Sequence, residues 1–73
     1  MVVVYTLPAC VQCESTKKLL KKNDIPFETV DLSQDETAMS MVKELGYQSA
    51  PVVVAGDKHW SGFRPDMISS LAA

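Results

Sequence analysis

The chain has no apolar run long enough to cross a membrane. Its longest, Ala50 to Ala55, falls far below the roughly 20 residues that a spanning helix needs. The opening Met1-Val2-Val3-Val4-Tyr5 has neither a charged leader nor a signal-length apolar stretch, so a cytoplasmic location is expected. Basic residues are not in excess: seven Lys and Arg stand against nine Asp and Glu, for a net charge of −2, which argues against a nucleic-acid surface and against an acidic tail. One histidine and two cysteines are too few for the four ligands of a structural zinc site, and no metal is expected. Repeats, linkers and low-complexity segments are absent. Residues 1–73 therefore read as one small domain with a small core.

What is present has a clear order. Val2 to Thr6 is a β-favouring run suited to a strand buried on both faces. Leu7-Pro8-Ala9 breaks it, and helix-favouring residues run from Val11 to about Asn23, with Thr16, Leu19, Leu20 and Asn23 along one face. Pro26 to Leu32 reads as a second strand. Ser33 with Glu36 forms a capping box for a second helix, which carries Met39, Val42 and Leu45 inward, leaves Met41 at the surface and stops at Gly46. Val52 to Ala55, the Gly56-Asp57 turn and Lys58 to Ser61 form a hairpin, and Pro65 starts a last helix through Leu71. The order β-α-β-α-β-β-α predicts an α/β fold: a mixed four-stranded sheet flanked by three helices.

The two cysteines, Cys10 and Cys13, stand at i and i+3 at the start of the first helix, on one side of its first turn. Their sulfurs can join with little backbone movement. At the helix start, unpaired N–H groups and the helix dipole favour a negative charge on Cys10. Lowering a thiol from about 8.5 to about 7 takes ~2 kcal/mol, of which the dipole supplies about 0.3–1 and direct N–H···S bonds the rest. Cys10 is thus the expected nucleophile, and Cys13, one turn deeper, the thiol that resolves a mixed disulfide.

Other readings of the pair are weaker. As a structural staple, a loop of about four residues contributes only ~2 kcal/mol, and a cytoplasmic redox poise would reduce it. Copper metallochaperones also place C-x-x-C between a first strand and a first helix. Their pattern resembles M-x-C-x-x-C, whereas this chain has Pro8 at the methionine position and is expected to end on a helix. A redox-active Cys10–Cys13 disulfide of thioredoxin-like type fits best.

Three stretches carry a family likeness: Tyr5-Thr6-Leu7-Pro8-Ala9-Cys10-Val11-Gln12-Cys13, Ala50-Pro51-Val52-Val53, and Trp60-Ser61-Gly62-Phe63-Arg64-Pro65-Asp66-Met67-Ile68. Together they resemble the NrdH-redoxins, glutaredoxin-like electron donors of class Ib ribonucleotide reductase. The resemblance implies a dithiol that reduces the large subunit of that enzyme and is restored by thioredoxin reductase. NADPH and FAD would act in the reductase partner, with no cofactor on this chain. A monomer that binds neither nucleic acid nor membrane is expected. Glutathione is the alternative electron source, as in ordinary glutaredoxins. Many of those carry Lys or Arg where Leu7 stands, and a Gly-Gly pair where this chain has Ser61-Gly62 before Phe63.

The resemblance also implies a cis Ala50–Pro51 bond facing the cysteines, with the Ala50 backbone free to pair with an extended substrate segment. Val11, Gln12, Ala50, Pro51, Trp60, Gly62, Phe63 and Arg64 become the candidate partner-binding residues. Val11, Trp60 and Phe63 are expected to form an apolar rim, and Arg64 to stack on Trp60 or cap the loop. Lys17, Lys18, Lys21 and Lys22 read as a solvated helix face, with Glu14 and Lys18 spaced for a weak pair. His59 reads as a solvated hairpin residue.

Overall fold

A computed structural model describes residues 1–72. The elements are β1 (Val2–Thr6), α1 (Val11–Lys22), β2 (Phe27–Asp31), α2 (Glu36–Glu44), β3 (Val52–Ala55), β4 (Lys58–Ser61) and α3 (Pro65–Leu71). They form one sheet in the order β2-β1-β3-β4. β1 pairs parallel with β2 and antiparallel with β3, and β3 pairs antiparallel with β4. This is the mixed four-stranded α/β sheet that the element order predicts, in the thioredoxin-like arrangement that the C-x-x-C pair and the family likeness imply.

Side-chain alternation divides the core into two layers. Val4, Val53 and Trp60 are register partners across three strands, and together with Leu20 of α1 and Ile68 of α3 they form one buried cluster. On the other face Val52 packs with Leu32, Ala38 and Val42, with Tyr5, Leu7, Met39, Met41 and Tyr47 around them. β1 is thus covered on both faces, as its unbroken run of β-formers anticipates. Met41 is half-buried against this second layer, not at the surface, while Leu45 is exposed at the C-cap of α2 and does not point inward.

Helix ends depend on individual hydrogen bonds. The N-cap of α2 is Asp35, whose Oδ1 accepts the Ala38 N–H at 2.9 Å. Ser33 cannot serve, because its N–H and hydroxyl both donate to Asp31 Oδ1, at 2.9 and 2.6 Å, in a turn that closes β2. The capping box is therefore replaced by an Asx turn followed by an Asp cap two residues later. Gly46 follows α2 at φ 93°, and the Gly46 and Tyr47 N–H groups donate to Lys43 O and Val42 O. That is a complete Schellman ending. α1 ends in the same way with Asp24, at φ 55°, in the glycine position.

Candidate active site

The Leu7-Pro8-Ala9 break turns the chain from β1 into α1, with Ala9 in the left-handed region at φ 56°. Cys10 follows as the N-cap of α1 in extended conformation, and its Sγ accepts the Cys13 N–H at 3.1 Å. The sulfur thus occupies the place of a capping side-chain oxygen. Cys10 and Cys13 are joined as a disulfide with their Cα atoms 5.2 Å apart. Access separates them: Cys13 is 1% exposed, whereas Cys10 is only half-buried. Below them Thr16 is fully buried and donates to Gln12 O at 2.8 Å, which fixes the first turn of the helix.

The second wall comes from the start of β3 and the end of β4. The Ala50–Pro51 peptide is cis. Gly62 donates its N–H to Pro51 O at 2.8 Å, and a Cβ on Gly62 would lie 3.6 Å from Gln12 Oε1. These contacts bring Gln12, Pro51 and Gly62 together beside the cysteines. Ala50 lies before β3, and its backbone N–H and C=O have no hydrogen-bond partner among the described residues. Val11 and Phe63 are both exposed apolar side chains.

Two expected contributors stand elsewhere. Trp60 is 3% exposed in the α1–α3 layer, so it supports the site from beneath and forms no part of a rim. It faces inward because it is the register partner of buried Val53. Arg64 does not stack on Trp60; its guanidinium forks onto Asp66, with Nε–Oδ1 at 3.1 Å and Nη2–Oδ2 at 2.8 Å. This pairing raises the Arg64 pKa and holds the Asp66 carboxyl below its ordinary value. Glu14 pairs with Lys17 at 2.6 Å instead of Lys18, and the Lys17 hydrogen bond lowers its pKa.

Tyr47 and His59 enter the site's surroundings without having been singled out together. The Tyr47 hydroxyl lies 2.7 Å from His59 Nδ1, with the rings edge-on at 5.6 Å. Tyr47 also lines a groove of about 430 Å³ with Leu7, Met39, Val42, Lys43 and Ala50. A Schellman ending usually carries an apolar contact from the residue after the glycine, a signal that could have placed Tyr47 against α2. Among the described residues, no three His, Cys, Asp or Glu side chains are grouped as a metal site.

The glutaredoxin family model matches residues 2–60. The glutaredoxin-like protein NrdH of Escherichia coli K12 is 40% identical over 70 residues, covering 96% of this chain and 86% of the relative. The chain belongs to the glutaredoxin family. Within it the chain is an NrdH-type redoxin, a thiol-disulfide oxidoreductase with a Cys10–Cys13 pair. The NrdH protein of Lactococcus lactis subsp. lactis is 36% identical, covering 99% of this redoxin and all of the relative. The solved structure of the Escherichia coli NrdH-redoxin superposes with a TM-score of 0.93 at 40% identity, covering 96% of this chain and 92% of that one. A glutaredoxin from Archaeoglobus fulgidus gives 0.78 at 30% identity, covering 96% and 83%.

Proposed function

We propose that this redoxin donates electrons to the large subunit of a class Ib ribonucleotide reductase and is itself re-reduced by thioredoxin reductase with NADPH. In the reduced protein the Cys10 thiolate attacks one sulfur of the partner's disulfide. A Cys10–partner disulfide forms and one partner thiolate leaves. Cys13 then gives up its proton and attacks Cys10 Sγ, closing the Cys10–Cys13 disulfide and releasing the second partner thiolate. Two electrons pass to the partner. The unpaired Ala50 backbone receives the partner's segment as an added strand, and exposed Val11 and Phe63 flank the approach. FAD and NADPH belong to the reductase, and the chemistry asks for no cofactor on this chain. A cytoplasmic monomer suits that role.

The observation that carries the choice of electron source is the state of the cations. Glutathione is a small anion whose carboxylates need fixed donors. Leu7 is apolar, and Arg64 is committed to Asp66 by two hydrogen bonds. The related Escherichia coli NrdH-redoxin is described as having a thioredoxin-like activity profile, which agrees. One feature favours glutathione: Lys43 lines the groove beside Leu7 and Ala50 and makes no ion pair among the described residues. The deciding assay is NADPH consumption with one disulfide substrate in two coupled systems. Thioredoxin reductase should recycle the protein rapidly, and glutathione with glutathione reductase only slowly. Faster recycling by glutathione would overturn the assignment and point to Lys43 as the missing cation.

A further inference from the structure

The segment that carries Ala50 and Pro51 is tied at two points to β4 and at a third to Gly62, the residue that follows it. Tyr47 Oη meets His59 Nδ1 at 2.7 Å, Ser61 Oγ donates to Ser49 O at 3.2 Å, and Gly62 N–H donates to Pro51 O at 2.8 Å. The first two ties share one offset, 12 residues, so residues 47–49 run alongside β4 in the same direction. Alternation on β4 explains the partners: Trp60 enters the α1–α3 layer, so His59 and Ser61 project to the opposite face. Only the first tie joins two side chains, and it stands where α2 ends and the segment begins. The Tyr47 N–H closes the Schellman ending on Val42 O, its ring packs against the α2 layer, and its hydroxyl reaches the sheet edge. Neither Tyr47 nor His59 hydrogen-bonds a cysteine, Ala50 or Pro51 among the described residues.

We propose that Tyr47 and His59 are positioning residues for substrate selection: their contact holds the 47–51 segment in line, so that the free Ala50 edge is ordered before a disulfide-bearing polypeptide arrives. The substrate class favoured is an extended chain with backbone to pair, not a small disulfide. This rests on the reading of Ala50 as a strand-accepting edge. An edge that is already ordered loses less conformational freedom on binding, so the contact acts on affinity and not on the exchange chemistry at Cys10.

The test is single-turnover oxidation of pre-reduced protein by insulin, which offers backbone around its disulfides, and by dithiobis(nitrobenzoate), which offers none. Tyr47→Phe keeps the ring and removes the hydroxyl. It should raise the half-saturating insulin concentration about three- to tenfold, the range for loss of one hydrogen bond. The limiting rate with insulin and the rate with the small disulfide should stay at wild-type values. His59→Phe should reproduce that split, and His59→Asn, whose amide can replace Nδ1, should restore wild-type behaviour. Two folded hydroxyl-free or imidazole-free variants with unchanged half-saturation would overturn the proposal. Equal slowing with both substrates would also overturn it, by moving the effect to the dithiol. Wild-type protein that shows no saturation with insulin would remove the Ala50 edge reading itself, and this inference with it. Should Tyr47→Phe fail to fold, the His59 pair of variants decides alone.

Discussion

Cys10 and Cys13 differ by one helical turn and by their access to solvent, and the proposed division of labour follows from that difference. Cys10→Ser should abolish disulfide reduction, because no thiolate remains to attack. Cys13→Ser should still attack and then accumulate as a mixed disulfide with the partner, visible on a non-reducing gel. Trapping by Cys10→Ser and not by Cys13→Ser would reverse the roles. Trp60 makes the opposite kind of prediction. As a buried register partner of Val53, it belongs to stability, and Trp60→Ala should cost about 3–5 kcal/mol. A domain of 73 residues holds roughly 4–11 kcal/mol in total, so the variant should lose at least about a quarter of its stability, and all of it where the total lies at the low end. Trp60→Phe should cost much less and retain reductase activity, since it also removes an indole N–H that has no partner among the described residues. Urea melts of the two variants check this. A stable Trp60→Ala protein with impaired partner binding would restore the rim reading. Sequence alone could not settle the question, because Lys58-His59-Trp60-Ser61 shows no alternation that fixes which face is inward.

At the level of elements, all seven were legible, because each carries its own period and its own breaker. The valine run of β3, the Pro8 and Pro65 boundaries and the Gly56-Asp57 turn mark where the elements begin and end. Misreadings fall where a side chain chooses between equivalent partners. Ser33 and Asp35 are both good caps, and only the competing Asp31 turn removes Ser33 from contention. Glu14 can reach Lys17 or Lys18, and Arg64 meets Asp66 at i+2 in the turn into α3, a spacing that helix rules do not anticipate. The cap exchange has a measurable consequence. Asp35→Ala should destabilise the domain by about 1 kcal/mol, within the 0.5–2 known for such caps, through loss of the Ala38 N–H bond. Ser33→Ala should have a smaller effect on the thermal midpoint, since its contacts are exposed and lie outside the helix. Equal or reversed losses would return the cap to Ser33.

For the molecule as a whole, strand direction decides where charge collects. β1, β2 and β4 run one way and β3 runs back, so the N-termini of α1, α2 and α3 all gather at the end of the sheet that carries Cys10. Each of these helices has an acidic residue in its first turn, Glu14, Glu36 and Asp66, as the dipole favours, and the same field favours a Cys10 thiolate. The Cys10 part of this was readable from spacing; the gathering of three helix starts needs the topology. Three carboxylates at this end are held below their ordinary values: Glu14 by its hydrogen bond to Lys17, Asp31 by Ser33, and Asp66 by Arg64. Because their folded values are depressed, the unfolded chain takes up protons first as the pH falls. Their stabilisation is therefore complete above the ordinary carboxylate range, about 4, and is lost below it as each folded group titrates. All three are exposed, so each effect is small and screened by salt. Urea midpoints of wild type and Asp66→Asn should differ most between pH 5 and 7, converge as the pH falls below about 4, and differ less in high salt. A difference that stayed constant from neutral to acid pH would mean that Asp66 acts through packing, and that the fork to Arg64 contributes no charge-dependent stability.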